Sequence, residues 1–436
     1  MTTRERAEAV KPQNVAVVVA GAGARGAYEA GALSVLLPHL KAAGVVPKLF
    51  VGTSAGAINA ILFAATAQLT AAEQGSAVLD VWRHIHLSDV FRTPLRTVWR
   101  TVAQGIGQFV HVPGVRLTSL LDTAPLSATA ERVVNWNQLR TNIDACRTAL
   151  AVVATSGADN RTKVFVDRVG DPPPGPDDDR AIDYLNAKIG RSHVLASAAI
   201  PTIFPPVWVP DQPTTSANSG GWYIDGGVRL NAPLKPALAL GADAVVIVAT
   251  HPPLDRAPEV PHAAPDEAPD IDDVLVRVLD AALVDRMVED IRTLAKVNAL
   301  VQAGDVQEHS GVAGSKLVRY LAVGPKERGT LGALAGRVFD ERTARIGRVT
   351  RLVRDPTMQL LGRLLGGDGS RRGDLLSYLF FDPEFMEASI ALGRSDAEAV
   401  FADAAAHAVP WQLDPLKDSR SAMCRTDPIG ETRARA

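Results

Sequence analysis

Short apolar runs that end in glycine or a polar residue alternate along this chain with longer stretches whose apolar residues recur at helical spacing. Val15 to Ala20 (Val-Ala-Val-Val-Val-Ala) is β-branched and continuous, the mark of a strand covered on both faces. The glycine-rich stretch Gly21 to Gly26 follows, and Ala27 to Leu40 then predicts a helix. The order recurs with Leu49 to Thr53 as strand and Ala55 to Gln68 as helix. Further strands are predicted at Ala149 to Thr155, Val164 to Asp167, Trp222 to Ile224 and Ala244 to Thr250, with Leu317 to Val323 a candidate for one more. Val194 to Ile200 reads as a small-residue helix stopped by Pro201, and Asn231 with Pro233 opens another as cap and first turn. This alternation predicts an α/β fold: an open, mainly parallel sheet flanked by helices, followed by a mostly helical C-terminal region.

Composition along the chain suggests its divisions. Residues 1–13 are a polar lead, 14–250 carry the α/β pattern, and 251–273 are a loop rich in proline and acid. Residues 274–416 read as a mostly helical region that completes or packs on the α/β domain, and 417–436 as a disordered tail. Asp171 to Arg180 (Asp-Pro-Pro-Pro-Gly-Pro-Asp-Asp-Asp-Arg) cannot be regular structure and is expected as a mobile surface loop. Between Val78 and Val110, Trp82, Phe91, Trp99 and Phe109 mix with arginines. Helices packed on the sheet are favoured there over a membrane-facing lid, because aromatic residues at helical spacing mostly belong to a core. Arginine recurs at every third position from Arg342 to Arg354. At about 3.6 residues per turn such a series spreads around the helix, so a solvated helix is expected rather than a lipid-binding stripe.

Composition and charge act mainly by exclusion. With 47 % hydrophobic and 22 % charged residues, the chain has the makeup of a globular protein. A formal net charge of -2 gives no basic footprint, so no nucleic-acid partner is expected. Cys146 and Cys424 are too few for a disulfide framework or a cysteine zinc cluster. No secretory signal is expected from the polar N-terminus, and no apolar run reads as long enough to span a bilayer. A cytoplasmic protein is expected, with peripheral membrane contact at most; oligomeric state is not legible.

Two glycine-bearing turns carry the candidate chemistry. Gly52-Thr53-Ser54-Ala55-Gly56, between strand and helix, has the form of a nucleophile elbow. The sharp turn needs small residues two positions either side of the serine, and the helix that follows aims its positive N-terminus at an oxyanion formed there. Alone the pattern is weak in a chain with 35 glycines; its placement lifts it. Gly21-Ala22-Gly23-Ala24-Arg25-Gly26 admits two nucleotide readings, and both fail. A dinucleotide fingerprint wants an acid about 20 residues on, but no Asp or Glu lies between Glu29 and Glu73. A phosphate loop wants Lys-Ser/Thr where the chain has Ala27-Tyr28. The loop and Ser54 share the carboxyl edge of the predicted sheet, so the loop is read as an oxyanion site offering backbone N–H groups.

A serine hydroxyl needs a base. Asp225, at a strand end before Gly226-Gly227, is one candidate; His251, after the next strand, is the other and would complete the order Ser54, Asp225, His251. Composition does not choose between them. His193 reads as a surface or capping residue, and Arg25 has an alternative as a solvated loop charge.

Gly21-x-Gly23-x-Arg25-Gly26, Gly52-x-Ser54-x-Gly56 and Asp225-Gly226-Gly227, in this order, resemble the three signature motifs of patatin-like phospholipases, lipid acyl hydrolases related to cytosolic phospholipase A2. Leu121 to Leu126 and Ala196 to Pro206 are similar to that family too, and the resemblance covers about residues 14 to 250. It implies a patatin-like α/β domain with a Ser-Asp dyad and no histidine: Ser54 as nucleophile, Asp225 as proton acceptor. Gly21, Gly23, Ala24, Arg25 and Gly26 would form the oxyanion loop, with backbone amides as donors. The implied activity is serine-dependent hydrolysis of carboxylic esters in phospholipids or other acyl-ester lipids, with no metal or organic cofactor. Acyl transfer on the same scaffold and a non-catalytic lipid-binding module are the alternatives. Ala22 departs from the family, many members of which carry a third glycine; its N–H is usable only if φ avoids positive values there.

Overall fold

The computed structural model describes residues 12–91, 121–201, 203–212, 219–252, 294, 298, 317–345, 372–402, 404 and 408–413. Among these the strands are β1 (Val15–Val19), β2 (Leu49–Thr53), β3 (Ala149–Ser156), β4 (Thr162–Asp167), β5 (Ile182–Asn186), β6 (Val207–Val209), β7 (Gly221–Asp225), β8 (Ala244–Val248) and β9 (Arg319–Val323). The helices are α1 (Gly26–Ala42), α2 (Ala55–Ala65), α3 (Ala71–His84), α4 (Leu87–Val90), α5 (Ala124–Val133), α6 (Trp136–Asp144), α7 (Arg191–Ser197), α8 (Leu234–Ala239), α9 (Thr330–Arg345), α10 (Arg372–Leu379) and α11 (Pro383–Phe401).

The main sheet runs β5-β4-β3-β2-β1-β8-β9, parallel throughout except where β3 meets β4. The short β6–β7 hairpin joins through an antiparallel pairing of β7 with β3. The expected open, mainly parallel sheet flanked by helices is thus found. Alternation along β1 accounts for its continuous apolar run. Val15, Val17 and Val19 enter a cluster with Leu33 of α1, Phe63 of α2 and Ile390 of α11. Ala16 and Val18 enter a second cluster with Leu234 and Ala237 of α8. A strand buried on both faces has no position for a polar residue. The C-terminal region joins this core directly, since β9 pairs with β8 and Tyr28 of α1 donates its hydroxyl to Asp396 Oδ2 of α11 at 2.8 Å.

Register around β3 positions the site. One edge of β3 is occupied by β4 from Leu150 to Thr155. Along the other edge β2 pairs as far as Thr53↔Val153, and β7 takes over at Ala154↔Asp225. The residue after Thr53 is Ser54, so the hand-over between two strands on one edge brings Ser54 and Asp225 side by side.

Several local expectations change. The helix expected over Val194 to Ile200 starts at Arg191 and ends at Ser197, because the Ala199 carbonyl leaves the helical path to accept the Asp225 N–H at 2.9 Å. Asn231 does not cap α8; Pro233 holds that position, and the Asn231 carbonyl accepts the Gly21 N–H at 3.1 Å. β5, β6, α5 and α6 are not expected from the apolar pattern: β6 has 3 residues, and Leu139 and Ile143 are the only apolar side chains that α6 buries. α3 buries Val78, Leu79 and Trp82 as a core helix should. Asp171 to Arg180 contains no helix or strand, only a single bridge from Asp177 to Ile182. The Arg342 side chain is 40 % exposed and pairs with the carboxylate of buried Asp382, itself the N-cap of α11, while the side chains of the other arginines of that series lie outside the described residues. The expectations for residues 92–110, 253–273 and 417–436, and nearly all of the helix expected from Val274 to Ala303, lie outside the described residues. Among the described residues no helix is long and apolar enough to cross a membrane.

Candidate active site

Ser54 joins β2 to α2 with φ 54° and ψ -128°. Side-chain-bearing residues rarely hold such a conformation, and here it turns the hydroxyl out of the sheet. The flanking glycines follow from close approach. A Cβ on Gly52 would run into the Gly56 carbonyl, and one on Gly56 into the carbonyls of Val19 and Ala20. Gly56→Ala is therefore expected to destabilise the fold by about 1–3 kcal/mol, the usual cost of overpacking. Thermal unfolding followed by circular dichroism checks this; an unchanged Tm contradicts it.

Ser54 Oγ donates to Asp225 Oδ2 at 2.6 Å, and both residues are buried, 5 % and 3 % exposed. The other carboxylate oxygen, Oδ1, accepts the Gly227 N–H at 2.7 Å, and Thr155 Oγ1 donates to the Asp225 carbonyl at 3.0 Å. Gly226 leaves room for this turn, since a Cβ there would strike the Val153 carbonyl. Burial pushes the Asp225 carboxyl up to about 7, against the hydrogen bonds from Ser54 and Gly227 that pull it down. A carboxylate tuned to neutrality is suited to taking and returning a proton. Ser197, which the sequence reading did not single out, accepts the Ser54 N–H at 2.9 Å and donates to the Val153 carbonyl at 2.5 Å. Only its place in the small-residue stretch Ala196 to Pro206 hinted at a role.

In the glycine loop Ala22 has φ -143° and Gly23 φ +55°, so alanine stands where a side chain is allowed and glycine where one is not. The Gly21 N–H bonds Asn231, the Arg25 N–H bonds the Ala22 carbonyl at 3.1 Å, and the Gly26 N–H turns to Gly23 and Ala24. Among the described residues, the amides of Ala22, Gly23 and Ala24 make no hydrogen bond. Of the residues expected as oxyanion donors, Gly21 spends its amide on Asn231 and Arg25 and Gly26 spend theirs within the loop, which leaves Gly23 and Ala24, with Ala22 beside them, as the amides free to donate.

Arg25 is not a solvated charge; it is 1 % exposed. Its Nη1 lies 2.9 Å from His251 Nε2. Guanidinium has no acceptor, so Nε2 is the unprotonated nitrogen of a neutral imidazole. Burial, then the positive charge of Arg25, hold the His251 pKa well below its ordinary value. Among the described residues, His251 bonds Arg25 and the Tyr378 hydroxyl, and neither Ser54 nor Asp225. The geometry thus gives no Ser54, Asp225, His251 triad. His193 is buried rather than at the surface, and its Nδ1 accepts the Gly190 N–H at 3.1 Å at the start of α7. Burial lowers its pKa to about 4.

Two adjoining apolar cavities meet at Ser54. One, about 540 Å³ counting space open to solvent, is lined by Ile58, Trp82, Ile85, Leu126 and Phe204; the other, about 550 Å³ on the same footing, reaches Asp225 past Ile203 and Leu375. Trp82 is fixed in the wall by its indole N–H, which donates to Asn59 Oδ1 at 2.7 Å. Asn59 in turn donates to the Gly26 carbonyl at 2.9 Å and to Glu29 Oε2 at 3.1 Å. Burial holds the Glu29 carboxyl well above the usual carboxylate range.

A family model described as patatin-like phospholipase matches residues 17–238, just over half of the chain. The chain belongs to the patatin-like phospholipase family. As a patatin-like phospholipase it is a lipid acyl hydrolase in the general sense, acting on lipid esters. No curated protein matches it. Among solved structures this patatin-like chain is similar to VipD from Legionella pneumophila, at 13 % identity and a TM-score of 0.29, over 87 % of this chain and 68 % of that one. It is also similar to a chain of the heterodimeric ExoU–SpcU complex from the type III secretion system of Pseudomonas aeruginosa, at 15 % identity and a TM-score of 0.25, over 89 % and 75 % of the two chains.

Proposed function

We propose that this protein is a serine-dependent lipid acyl hydrolase of the phospholipase A or lysophospholipase type, in which Ser54 and Asp225 act as a dyad. The observation that carries the reading is the 2.6 Å hydrogen bond from Ser54 Oγ, where the two apolar cavities meet, to a buried carboxylate that lines one of them. Asp225 takes the Ser54 proton as Oγ attacks the ester carbonyl carbon. The oxyanion is met by the unspent amides of Ala22, Gly23 and Ala24. Its collapse breaks the ester C–O bond, Asp225 returns the proton to the leaving alcohol, and an acyl-Ser54 ester remains. Water then attacks the acyl carbon, gives its proton to Asp225, and frees the fatty acid as Ser54 is reprotonated. No histidine is required, in keeping with the commitment of His251 to Arg25. Reaching lipid in a membrane calls for peripheral contact with its surface.

The acyl chain is assigned to the cavity lined by Ile58, Trp82 and Leu126, an environment that stabilises methylene groups at about 0.8 kcal/mol each. Ile58→Trp, which fills this space, is expected to lower kcat/KM for a long-chain p-nitrophenyl ester at least about tenfold while sparing the acetate ester. Equal loss on both esters contradicts the assignment. The reaction class is tested by incubating the protein with phosphatidylcholine vesicles and quantifying products by mass spectrometry. Free fatty acid and lysolipid in equal amounts are expected; acyl groups recovered only on an added acceptor alcohol would replace hydrolysis by transfer.

A further inference from the structure

Arg25 ties the glycine loop to a helix far outside the matched family segment. Its Nε donates to Ser377 Oγ at 2.7 Å, and its Nη2 donates to the Asp374 carbonyl at 3.0 Å and to Asp374 Oδ1 at 3.1 Å. Both acceptor residues lie on α10. Ser377 Oγ also donates to the Asp374 carbonyl at 2.6 Å, so the acceptors are themselves held in place. Nη1 reaches His251, and the guanidinium carbon sits 4.0 Å over the centre of the Tyr378 ring, a favourable cation–π position. A second contact is made through main chain: the Tyr378 carbonyl lies so close to Gly23 that a Cβ there would collide with it.

α10 therefore grips the loop on both sides of Ala24, at Gly23 and at Arg25. A guanidinium this deeply buried is tolerated only with its donors satisfied, so the loop has little freedom to sit elsewhere. None of the Arg25 hydrogen bonds goes to Ser54 or Asp225. We propose that Asp374, Ser377 and Tyr378 of α10, with His251, are positioning residues that hold Arg25 and through it aim the loop amides at the oxyanion. The region beyond the family segment is then part of what makes the site active. This rests on the Ser54–Asp225 reading, with the loop as oxyanion donor. Oxyanion donors act on the transition state more than on bound substrate, so slackening the clamp should lower kcat and leave KM nearly alone. Asp225 is untouched, and the pH midpoint of activity should not move.

The test uses the full chain and p-nitrophenyl butyrate, comparing wild type with the Asp374→Ala/Ser377→Ala double variant. A fall in kcat of about 100-fold is expected, with KM within about threefold, an unchanged pH midpoint and a native circular dichroism spectrum. Asp374→Asn, which keeps a side-chain oxygen for Arg25, should retain much more activity than Asp374→Ala. If the double variant does not fold, Ser377→Ala alone is expected to show the same kcat-selective loss at about tenfold. Wild-type kcat in a folded variant, or a loss no larger than the loss of folded protein, overturns the proposal. Failure of the underlying reading shows separately, as unchanged hydrolysis by Ser54→Ala.

Discussion

Ser54→Ala is expected to lower ester hydrolysis by about 10⁴-fold or more, the scale on which removal of a serine nucleophile acts in other hydrolases. The substitution deletes the one side-chain hydroxyl that hydrogen-bonds the Asp225 carboxylate among the described residues. The loop amides and the apolar cavity are left unchanged, so KM should change little and a residual rate should survive. Folding should survive as well, because the Ser54 N–H, not its hydroxyl, makes the bond to Ser197. Fatty-acid release from a phospholipid, with a thermal melt to show that the variant is folded, measures the effect. Activity within a factor of a few of wild type excludes Ser54 as the nucleophile.

Asp225→Asn is expected to cost about 10³-fold or more in kcat, since a neutral amide cannot accept the Ser54 proton. Asparagine keeps the geometry: Oδ1 can still accept from Gly227 and Nδ2 can donate to Ser54 Oγ. Two pH effects follow from the same carboxyl. Wild-type kcat should rise with pH through about 7, where Asp225 ionises. At pH 5 it should have fallen to about one hundredth of the plateau, and this limb should vanish from whatever activity Asp225→Asn retains. Stability moves the other way. Burial raises the folded-state pKa above that of the unfolded chain, so from ordinary carboxylate values up to about 7 the folded protein keeps a proton that the unfolded chain has released. The stabilisation from this group is complete at acidic pH and is lost as pH rises through about 7. Asp225→Asn, always neutral, should therefore melt higher than wild type at pH 8 and near wild type at pH 4. A lower Tm at both pH values would mean that the ionised carboxylate is held by its partners, not penalised by burial.

The parts of the fold written in local sequence are the legible ones. Val15 to Val19 and Ala244 to Val248 are continuous apolar runs because both faces of those strands are covered, and they read as strands at once. β6 has 3 residues, one of them the exposed Trp208, and gives no periodic signal. The candidate site divides in the same way. Gly52, Gly56 and Gly226 are needed for close approach of main chain, so their spacing is visible around Ser54 and Asp225. The hydrogen bond between those two residues depends on β2 and β7 sharing an edge of β3, a non-local register that no short stretch contains. The fate of Arg25 depends on residues about 350 positions away, at Asp374 and Ser377, which read simply as part of a helical region. His251 follows a strand as a triad histidine would, and only its buried cationic neighbour removes it from that role.

Intact-mass analysis and peptide mapping after reaction with a fluorophosphonate, run from pH 5 to pH 9, tests the Ser54–Asp225 dyad most directly. The expected result is a single adduct on Ser54 whose rate of formation rises through about pH 7, no adduct on Ser54→Ala, and a slow, pH-independent reaction in Asp225→Asn. An adduct on another residue, or a pH-dependent rate that survives Asp225→Asn, contradicts the dyad.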